Sequence, residues 1–596
     1  MTEPANSSYP QGGAFLLEAT DCQSVFTPED FGSEDRAMAQ AARDFIDKEI
    51  IPKQAELDEK KPGQIAGLAR KAGELGFLAV QVPEQYGGLA ASKALTCLIE
   101  EQLGRTGSFA TTCAAHTGIG TLPLVYFGTE QAKAKYLPKL ASGEWLASYC
   151  LTEAESGSDA LSMRSKAVLS DDGSAYVLNG SKMWITNAGL ANLFTIVTRM
   201  DGDKYGAFLV ERSFPGFAVE KEEHKMGICG SSTCRITFED CRVPRENLLG
   251  EPGKGHLIAF NILNMGRYKL GAAAVGASKE ILRVSATYAT ERKQFGKPIG
   301  QFGLIQQKLA HMARRTFVTE SIVYRTAGMM DALDRTGEQS QSIAPGFPLY
   351  VEEYALECSV IKVVASENQG VIVDEGVQIH GGYGFSEEFA MARAYRDSRI
   401  TRIFEGTNEI NRLFIPAMLL RRAERGKLPL LAAIGKVQKE LISMAPSSAS
   451  APTGAIERAE GIVANLRRLM LLMAGVSYQR YGNGLLEEQE VLAGLADLAM
   501  ELYKLDSAAL RTKKTTARGD QRRAELQQDL LELQLGETLQ ATQTVVQNVL
   551  PHIATGDELR SYTGLSRRLL KCEPVDLVAI GRRVAKAVYD AQAYPL

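Results

Sequence analysis

The sequence predicts a mostly helical α+β protein in which one β domain separates two helical domains and a further helical domain follows. Apolar side chains recur with helical spacing from about residue 34 to 143, and again from about 257 onward. Between them, from about 148 to 255, short alternating runs are separated by tight turns. A chain of 596 residues is too long for one ordinary domain. The expected domains are 1–147, 148–256, 257–430 and 431–596.

The first domain is predicted to be entirely helical. The stretch "DRAMAQAARDFIDKEI" has helical periodicity and should end at Pro52, because proline lacks the amide hydrogen that a helix interior needs. A second helix, "LARKAGELGFLAV", should end before the turn-like "PEQYGG".

The second domain has the pattern of short strands joined by turns. Turn-forming segments such as "DDGSA", "NGSK", "DGDKYG" and "SFPGF" occur at close intervals. In "TCRITF", Cys234, Ile236 and Phe238 fall on one face of a strand, whereas Arg235 and Thr237 fall on the other. This pattern indicates a small antiparallel β domain.

Long helices rich in alanine and leucine are predicted for the third and fourth domains. A proline- and serine-rich stretch, "APSSASAPTG" at 445–454, suits a flexible connection between the third domain and later helices. An apolar seam then repeats with spacings of four and three residues, which predicts a helix packed within a bundle. The seam consists of Val491, Leu495, Leu498, Leu502 and Leu505.

Composition and charge exclude several classes of protein. A net charge of -4 and a pI near 6.1 provide no broad basic field, so we expect no nucleic-acid partner. The first 35 residues contain no lysine or arginine, the reverse of a targeting peptide, which favours a cytoplasmic protein. The nine scattered cysteines lack a C-x-x-C pair and the six histidines are isolated, so we expect no metal.

One basic run stands out in the last domain. Six cations crowd into residues 511–523, and Asp520 is the single acid among them. Such a run is usually a solvated face, and the alternative is peripheral contact with an anionic membrane surface. The six cations are Arg511, Lys513, Lys514, Arg518, Arg522 and Arg523.

The segment "RIFEGTNEI" at 402–410 raises a functional question. Glu405 stands between Phe404 and Gly406, just before Thr407, which could cap a helix. Taken alone, the segment is typical of a loop with a solvated carboxylate. Three other segments combine glycine and hydroxyl residues with an aromatic residue in the same way: "YCLTEAESGSDA" at 149–160, "KMWITNAG" at 182–189, and "QIHGGYGF" at 378–385.

Together, these segments resemble the acyl-CoA dehydrogenase family, most of all its very-long-chain branch and bacterial relatives, along nearly the whole chain. The resemblance implies N-terminal helices, a middle β-barrel, a C-terminal four-helix bundle and an extra helical domain, with FAD between barrel and bundle. It also implies dehydrogenation of a fatty acyl-CoA to the trans-2-enoyl-CoA, the first step of fatty acid β-oxidation. The electrons would pass to electron-transferring flavoprotein.

The resemblance also implies roles for individual residues. Glu405 matches the general base, whose carboxylate would be desolvated between Phe404 and the flavin. Some family members carry the base immediately before an arginine that Arg267 matches, but here that position is Gly266. The implied substrate-binding residues are Ser158, Asn264, Arg267, Phe404 and Gly406. The implied cofactor-binding residues are Thr152, Trp184, Thr186, Arg292, Gln294, Phe295, Gln378, Gly381, Gly382, Thr407 and Glu409.

Several of these residues resemble segments that reach the FAD of a neighbouring subunit, which implies a homodimer. They are Arg292, Gln294, Phe295, Gln378, Gly381 and Gly382. Two alternatives remain open on the sequence: an acyl-CoA oxidase that uses oxygen, and an assembly or scaffold member of the same family. Chain length also stays open, because Gly118 and Gly120 could leave room for an acyl tail or could mark a helix end.

Overall fold

The computed structural model describes residues 9–202, 204–443 and 454–596. Most of the proline- and serine-rich connection, 445–453, therefore lies outside the described residues. The first helical part contains α1 (Ser33–Phe45), α2 (Gln54–Asp58), α3 (Gln64–Glu74), α4 (Lys93–Leu103), α5 (Ser108–Ala115), α6 (Leu122–Phe127) and α7 (Glu130–Ala141).

Local sequence explains where these helices begin and end. The Asp35 carboxylate accepts a hydrogen bond from the Gly32 amide at the start of α1, and the Ser92 hydroxyl caps α4 by accepting from the Leu95 amide. Helix α3 ends at Glu74, six residues before the predicted end, because Gly76 adopts a φ of +83° that stops the helix.

The middle part is an eight-stranded sheet. Its strands are β1 (Ala147–Cys150), β2 (Lys166–Leu169), β3 (Ala175–Thr186), β4 (Leu193–Arg199), β5 (Tyr205–Glu211), β6 (Phe217–Glu222), β7 (Thr233–Pro244) and β8 (Leu248–Gly253). Seven strands follow the order β6-β7-β3-β2-β4-β5-β8, and β1 lies beside β4. The pairs β1–β4 and β2–β4 are parallel and the others are antiparallel, so the predicted antiparallel pairing holds for most of the sheet.

The predicted alternation in "TCRITF" is confirmed in β7. Cys234, Ile236 and Phe238 are buried in the sheet core, whereas Arg235 is exposed.

The third part begins with the long helix α8 and ends with α14. Its elements are α8 (Gly255–Glu291), the hairpin β9 (Lys293–Gln294) and β10 (Lys297–Pro298), α9 (Gly303–Asp334), α10 (Leu349–Glu353), α11 (Ala355–His380), α12 (Gly382–Phe385), α13 (Ala390–Arg399) and α14 (Asn408–Glu424). Helices α8, α9, α11 and α14 pack together as the bundle.

The last part is helical, as predicted. It contains α15 (Leu430–Ser443), α16 (Ala455–Tyr481), α17 (Gln489–Ala517), α18 (Gln521–Ile553), α19 (Gly556–Leu569) and α20 (Leu577–Ala591). All five residues of the predicted seam are buried on α17, which packs against α9, α14, α16 and α18. None of the described helices is long and apolar enough to cross a membrane.

The expectation of a solvated basic face at 511–523 is wrong for Arg511 and Lys514, which are buried. Arg511 is buried and donates hydrogen bonds to Glu29 at 2.8 Å and to Glu320 at 2.6 Å. Lys514 is also buried and donates to Asp30 at 2.8 Å. These cations bind the N-terminal segment to the bundle. Lys513 and Arg518 are exposed and pair with Glu460 and Asp30, so peripheral membrane contact stays a prediction.

Candidate active site

One cavity of about 1720 Å³ lies between the sheet, α8 and the turn that precedes α14. Its walls are built from segments that are far apart in the chain, including most of the residues that the sequence singled out. The predicted residues that line it are Thr152, Ser158, Trp184, Thr186, Asn264, Arg267, Phe404, Glu405, Gly406 and Thr407.

The turn that carries Glu405 has an unusual backbone held by hydrogen bonds. Glu405 has a φ of +58°, a left-handed conformation that costs a non-glycine residue about 1–2 kcal/mol. The guanidinium of Arg267 donates through Nε to the Glu405 carbonyl at 3.1 Å. Asn411 Nδ2 donates to the Gly406 carbonyl at 2.9 Å, and Lys362 Nζ donates to the same oxygen at 2.6 Å. These bonds fix the carbonyls toward the bundle.

The amide of Glu405, unlike the carbonyls of this turn, has no protein partner in the described residues. Thr407 caps α14, because its hydroxyl accepts from the Ile410 amide at 3.3 Å. The predicted cap is therefore confirmed.

The Glu405 carboxylate is desolvated. The residue as a whole is half-buried, but its Oε2 atom is shielded from solvent and has no hydrogen-bond partner among the described residues. Burial raises the pKa of Glu405 to about 7, although the nearby charges of Arg267 and Lys362 act in the opposite direction. A carboxylate with a pKa near neutrality is well matched to proton abstraction. The solvated-loop interpretation of this segment is wrong.

Gly266 makes room for that carboxylate. A β-carbon built at position 266 would lie 2.6 Å from Oε2 and 2.7 Å from Cδ of Glu405. A side chain at position 266 would therefore displace the Glu405 carboxylate from this arrangement.

Trp184 stands on the sheet side of the cavity. It has a φ of +61° and follows Lys182 where the register of β3 against β7 shifts, so the strand is bulged at this point. The bulge leaves the indole 54% exposed, lining the cavity rather than packed in the sheet core. An exposed indole with the hydroxyls of Thr152 and Thr186 nearby is a suitable wall for a flat, polar-edged ring such as a flavin.

A buried ion pair fixes the loop beside this wall. Lys182 Nζ donates to Glu153 Oε1 at 2.7 Å and to the Leu151 carbonyl at 3.0 Å. Glu153 also accepts from the Ser165 amide at 3.1 Å. The loop that contains Thr152 and Ser158 is held in place at both ends.

Asn264 and Arg267 act as a unit on α8. Arg267 is buried, and its Nη1 donates to Asn264 Oδ1 at 3.0 Å. The Asn264 amide donates to the Val351 carbonyl at 3.2 Å. The side-chain oxygen and nitrogen of Asn264 are thus both hydrogen-bonded within the protein, and the bond to its oxygen orients Arg267.

The remaining predicted cofactor residues lie outside this cavity. Arg292, Gln294, Phe295 and Gln378 are exposed, and Phe295 is 92% exposed. Gly381 and Gly382 are exposed too, and a β-carbon at either would meet no other atom. The Arg292 guanidinium lies 5.6 Å from the ring of Tyr383, so the β9–β10 hairpin and α12 form one surface. Glu409 is exposed and also lies outside the cavity lining.

The sequence alone did not single out Lys362 and Asn411. Lys362 is fully buried in α11, and it donates to Asn408 Oδ1 at 2.7 Å as well as to Gly406. Burial lowers the pKa of Lys362 to about 7. The available signal was a lysine inside the apolar run "VIKVVA", where an unpaired charge would be costly.

Gly118 and Gly120 do not line the cavity. A β-carbon at Gly118 would touch the Lys269 side chain at 3.5 Å, and one at Gly120 would meet Ala147 at 3.0 Å. We call the part of the cavity between α5 and α8 the inner arm, and other residues line it. They are Thr111, Ala114, Ala115, Ile119, Leu270, Ala273, Ala274 and Ala277.

Comparisons with known proteins agree with this architecture. Descriptions of the acyl-CoA dehydrogenase N-terminal, middle and C-terminal domains match residues 32–144, 148–241 and 253–420. A further acyl-CoA dehydrogenase C-terminal domain matches residues 465–568.

Two curated relatives cover most of the chain. A Bacillus subtilis protein named "Probable acyl-CoA dehydrogenase" is 43% identical over 98% of both chains. The mitochondrial very long-chain specific acyl-CoA dehydrogenase of Rattus norvegicus is 35% identical over 80% of this chain and 74% of its own length.

A solved structure resembles the whole chain. The acyl-CoA dehydrogenase of Bacillus anthracis, crystallised in complex with FAD, has a TM-score of 0.95 and 43% identity. The match covers 98% of this chain and all of that one. The chain therefore belongs to the acyl-CoA dehydrogenase family of FAD-dependent oxidoreductases.

Proposed function

We propose that this protein uses FAD to dehydrogenate long-chain fatty acyl-CoA to trans-2-enoyl-CoA, as the first step of fatty acid β-oxidation, with electron-transferring flavoprotein as the electron acceptor. One observation carries the proposal: the desolvated Glu405 carboxylate and the exposed Trp184 indole line the same cavity. This reaction requires a base and, in the same cavity, a wall against which the flat flavin ring can stack.

The protein residues supply proton transfer and charge stabilisation. Glu405 removes the α-proton of the thioester, because its raised pKa gives the carboxylate a high affinity for that proton. The free Glu405 amide donates to the thioester oxygen as negative charge develops there. Arg267, Lys362 and Asn411 hold the carbonyls of this turn and thereby orient the amide. Bound FAD supplies the acceptor for the β-hydride.

The preference for long chains rests on the inner arm of the cavity. Small side chains on α8 recur at Ala273, Ala274 and Ala277, and the lining continues along the same helix to Val284. At 1.5 Å per residue, the alanine-lined part of the arm runs about 15 Å along α8 from Arg267, and Glu280 and Arg283 line the cavity beyond it. This apolar stretch supports the binding of a fatty acyl chain beside α8.

We also propose that the protein forms a homodimer. The exposed surface formed by the β9–β10 hairpin and α12 carries Arg292, Phe295 and Phe385, and Phe385 is 84% exposed. Exposed aromatic residues beside an arginine are unusual on a free surface and are typical of interfaces. In the proposed dimer this surface reaches the FAD of the second subunit.

Anaerobic addition of saturated acyl-CoAs of graded length tests the reaction, cofactor and chain preference together. We expect the flavin absorbance to bleach, and to bleach fastest with long chains. Absence of bleaching with every acyl-CoA would refute the proposed reaction. Aerobic turnover that releases peroxide without a flavoprotein acceptor would favour the oxidase instead. A pull-down that depends on residues 431–596 but not on Glu405 would favour a scaffold.

A further inference from the structure

The inner arm leads to a group of charged side chains. Arg105, in the loop between α4 and α5, lines the cavity here together with Glu280 and Arg283 of α8 and Arg393 of α13. We call these four residues the inner-end cluster. On α8 the cluster follows the alanine-lined part of the arm, so a chain that fills the arm meets charged groups at its far end.

Hydrogen bonds hold the inner-end cluster together. Arg105 Nε donates to Glu280 Oε2 at 3.1 Å, and Arg283 Nη2 donates to Glu280 Oε1 at 2.6 Å. Gln54 of α2 connects the other two members, because its Nε2 donates to the Arg105 carbonyl at 3.3 Å and its Oε1 accepts from Arg393 Nη2 at 2.6 Å. The cluster members therefore converge on one place from α8, α13 and the loop before α5.

Arg105 has a buried donor without a partner. Its side chain is only 8% exposed. Nε donates to Glu280 and Nη2 donates to Asp47 at 2.7 Å, whereas Nη1 is shielded from solvent and has no hydrogen-bond partner among the described residues. A buried donor on a charged group is costly when it stays unpaired. An oxygen atom at the end of a bound chain would satisfy this donor.

Positive charge predominates in the cluster. Three arginines line the cavity here with one carboxylate, Glu280, which already accepts from Arg105 and Arg283. Arg393 donates to the neutral side chain of Gln54 and forms no ion pair within the described ranges. The cluster therefore favours an anionic ligand group over an apolar chain end.

Other acids near α13 do not pair with Arg393. Glu387 and Asp397 also line the cavity. Glu387 forms an ion pair with Arg396, and Asp397 accepts a hydrogen bond from the Ile228 amide. The guanidinium of Arg393 therefore keeps donors for a carboxylate.

The distance from the base matches a long acyl chain. Position 266, beside the Glu405 carboxylate, is 14 residues from Glu280 on α8, or about 21 Å at 1.5 Å per residue. An extended chain advances about 1.2 Å per bond, as in an extended backbone with three bonds per residue. A sixteen-carbon acyl group then covers about 17 Å from its α-carbon to its far end. The long side chains of Arg105 and Arg283 span the remaining distance.

We propose that the inner-end cluster binds the ω-carboxylate of CoA thioesters of long-chain dicarboxylic acids, with Arg105 and Arg393 as the donors that contact it. This inference deepens the proposed function and rests on it, because it assumes that the thioester lies beside Glu405. Guanidinium groups suit a carboxylate, since their planar donors match both of its oxygens. The ω-carboxylate takes no part in the dehydrogenation, in which the α-proton goes to Glu405 and the β-hydride to FAD.

Two thioesters that differ only at the ω end test the assignment: palmitoyl-CoA and the mono-CoA thioester of hexadecanedioic acid. We expect the wild type to oxidise both, with kcat/KM values within about tenfold of each other, because the carboxylate finds charged partners. In Arg105→Met and in Arg393→Met, the ratio of the hexadecanedioyl value to the palmitoyl value should fall about ten- to a hundredfold, the effect of one charge-assisted hydrogen bond. This ratio does not depend on the fraction of folded enzyme, so a destabilised variant still gives an answer.

A shorter pair of thioesters tests the position of the cluster. The carboxylate of dodecanedioyl-CoA would lie in the alanine-lined part of the arm, where it has no charged partner. We expect the wild type to prefer lauroyl-CoA over dodecanedioyl-CoA by more than about tenfold, because an unpaired carboxylate is costly to bury. The two substitutions should leave that preference unchanged. Arg522→Met is the matched control for both pairs, since Arg522 is exposed on α18 and forms no ion pair with a described residue.

The outcomes separate this inference from the proposed function. A wild-type preference for palmitoyl-CoA over hexadecanedioyl-CoA of more than about tenfold would overturn the inference, since it is the result expected of an unpaired carboxylate. A ratio that neither substitution changes would overturn it too. If the wild type oxidises none of the thioesters, the proposed function fails, and calorimetric binding decides the inference. Tighter binding of hexadecanedioyl-CoA to the wild type than to Arg105→Met would then support it, and equal binding would overturn it.

Discussion

Gly266 and Glu405 lie so close together in the cavity that a side chain at position 266 would displace the Glu405 carboxylate. A β-carbon there would lie 2.6 Å from Glu405 Oε2, well inside van der Waals contact. Glu405 and Gly266 are therefore one structural unit, although they lie 139 positions apart along the chain. Position 266, where some family members carry the base, is the position that makes room for the Glu405 carboxylate.

Gly266→Ala should impair catalysis without loss of the fold. The added methyl group displaces the carboxylate, and a displacement of about 1 Å can lower the rate about a hundredfold. We expect kcat to fall by that order, with normal FAD content. Gly67→Ala is the matched control, since a β-carbon at this helical position meets no other atom. Wild-type turnover in Gly266→Ala would contradict the assigned geometry.

The pH dependence should reveal the titration of Glu405. Burial raises its pKa to about 7, so the carboxyl group is protonated, and inactive as a base, below that pH. We expect kcat/KM to fall about tenfold for each pH unit below 7 and to level off above it. Measurement between pH 5 and 9 with saturating electron acceptor checks this. An activity that stays constant down to pH 5 would show that the base is not desolvated.

Lys362→Met should move that titration. Burial lowers the pKa of Lys362 to about 7, so this group and Glu405 change charge over the same pH range. Its positive charge lowers the pKa of Glu405, and removing the charge raises it. We expect the acidic limb of the profile to shift to higher pH by up to about one unit. Lower activity with an unshifted limb would mean that Lys362 acts only by holding the Gly406 carbonyl.

Ala277→Phe should shorten the acyl chains that the enzyme accepts. Ala277 lines the inner arm on α8, and an aromatic ring there would fill the passage. We expect kcat/KM for palmitoyl-CoA to fall at least about tenfold, while butyryl-CoA is oxidised as before. Equal loss with both substrates would indicate a general packing defect, and an unchanged profile would place the acyl tail elsewhere.

Arg511→Met should destabilise the protein. Arg511 is buried between Glu29 and Glu320, and its removal leaves Glu29 without its cation, whereas Glu320 keeps Lys279. Breaking a buried ion pair in this way costs about 3–5 kcal/mol. We expect a lower thermal midpoint, whereas Arg522→Met on the exposed surface of α18 should change it little. An unchanged midpoint for Arg511→Met would show that the N-terminal segment contributes little to stability.

Periodic patterns predicted the architecture well, because the burial of each helix and strand repeats along the sequence. The seam on α17 and the alternating face of β7 are buried as their spacing indicated. The end of α3 was predicted too late, since the conformation of Gly76 is decided by a turn rather than by periodicity.

The surroundings of individual charged and aromatic residues were harder to predict. Charge counting treated Arg511 as a solvated residue, but its partners, Glu29 and Glu320, are almost 500 and almost 200 residues away. Lys362 was not predicted for the same reason, because its acceptors lie in the turn before α14 and at the first residue of that helix. Trp184 is exposed because of a bulge, and no local spacing encodes that bulge. Tertiary contacts decide all three positions.

The central claim is that Glu405 is the base that opens the reaction. Glu405→Gln keeps the shape of the side chain but removes the carboxylate. Anaerobic mixing of this variant with palmitoyl-CoA, followed by flavin absorbance, tests the claim most directly. We expect the purified variant to retain a full complement of FAD and its absorbance to remain unbleached. Bleaching at the wild-type rate would contradict the account.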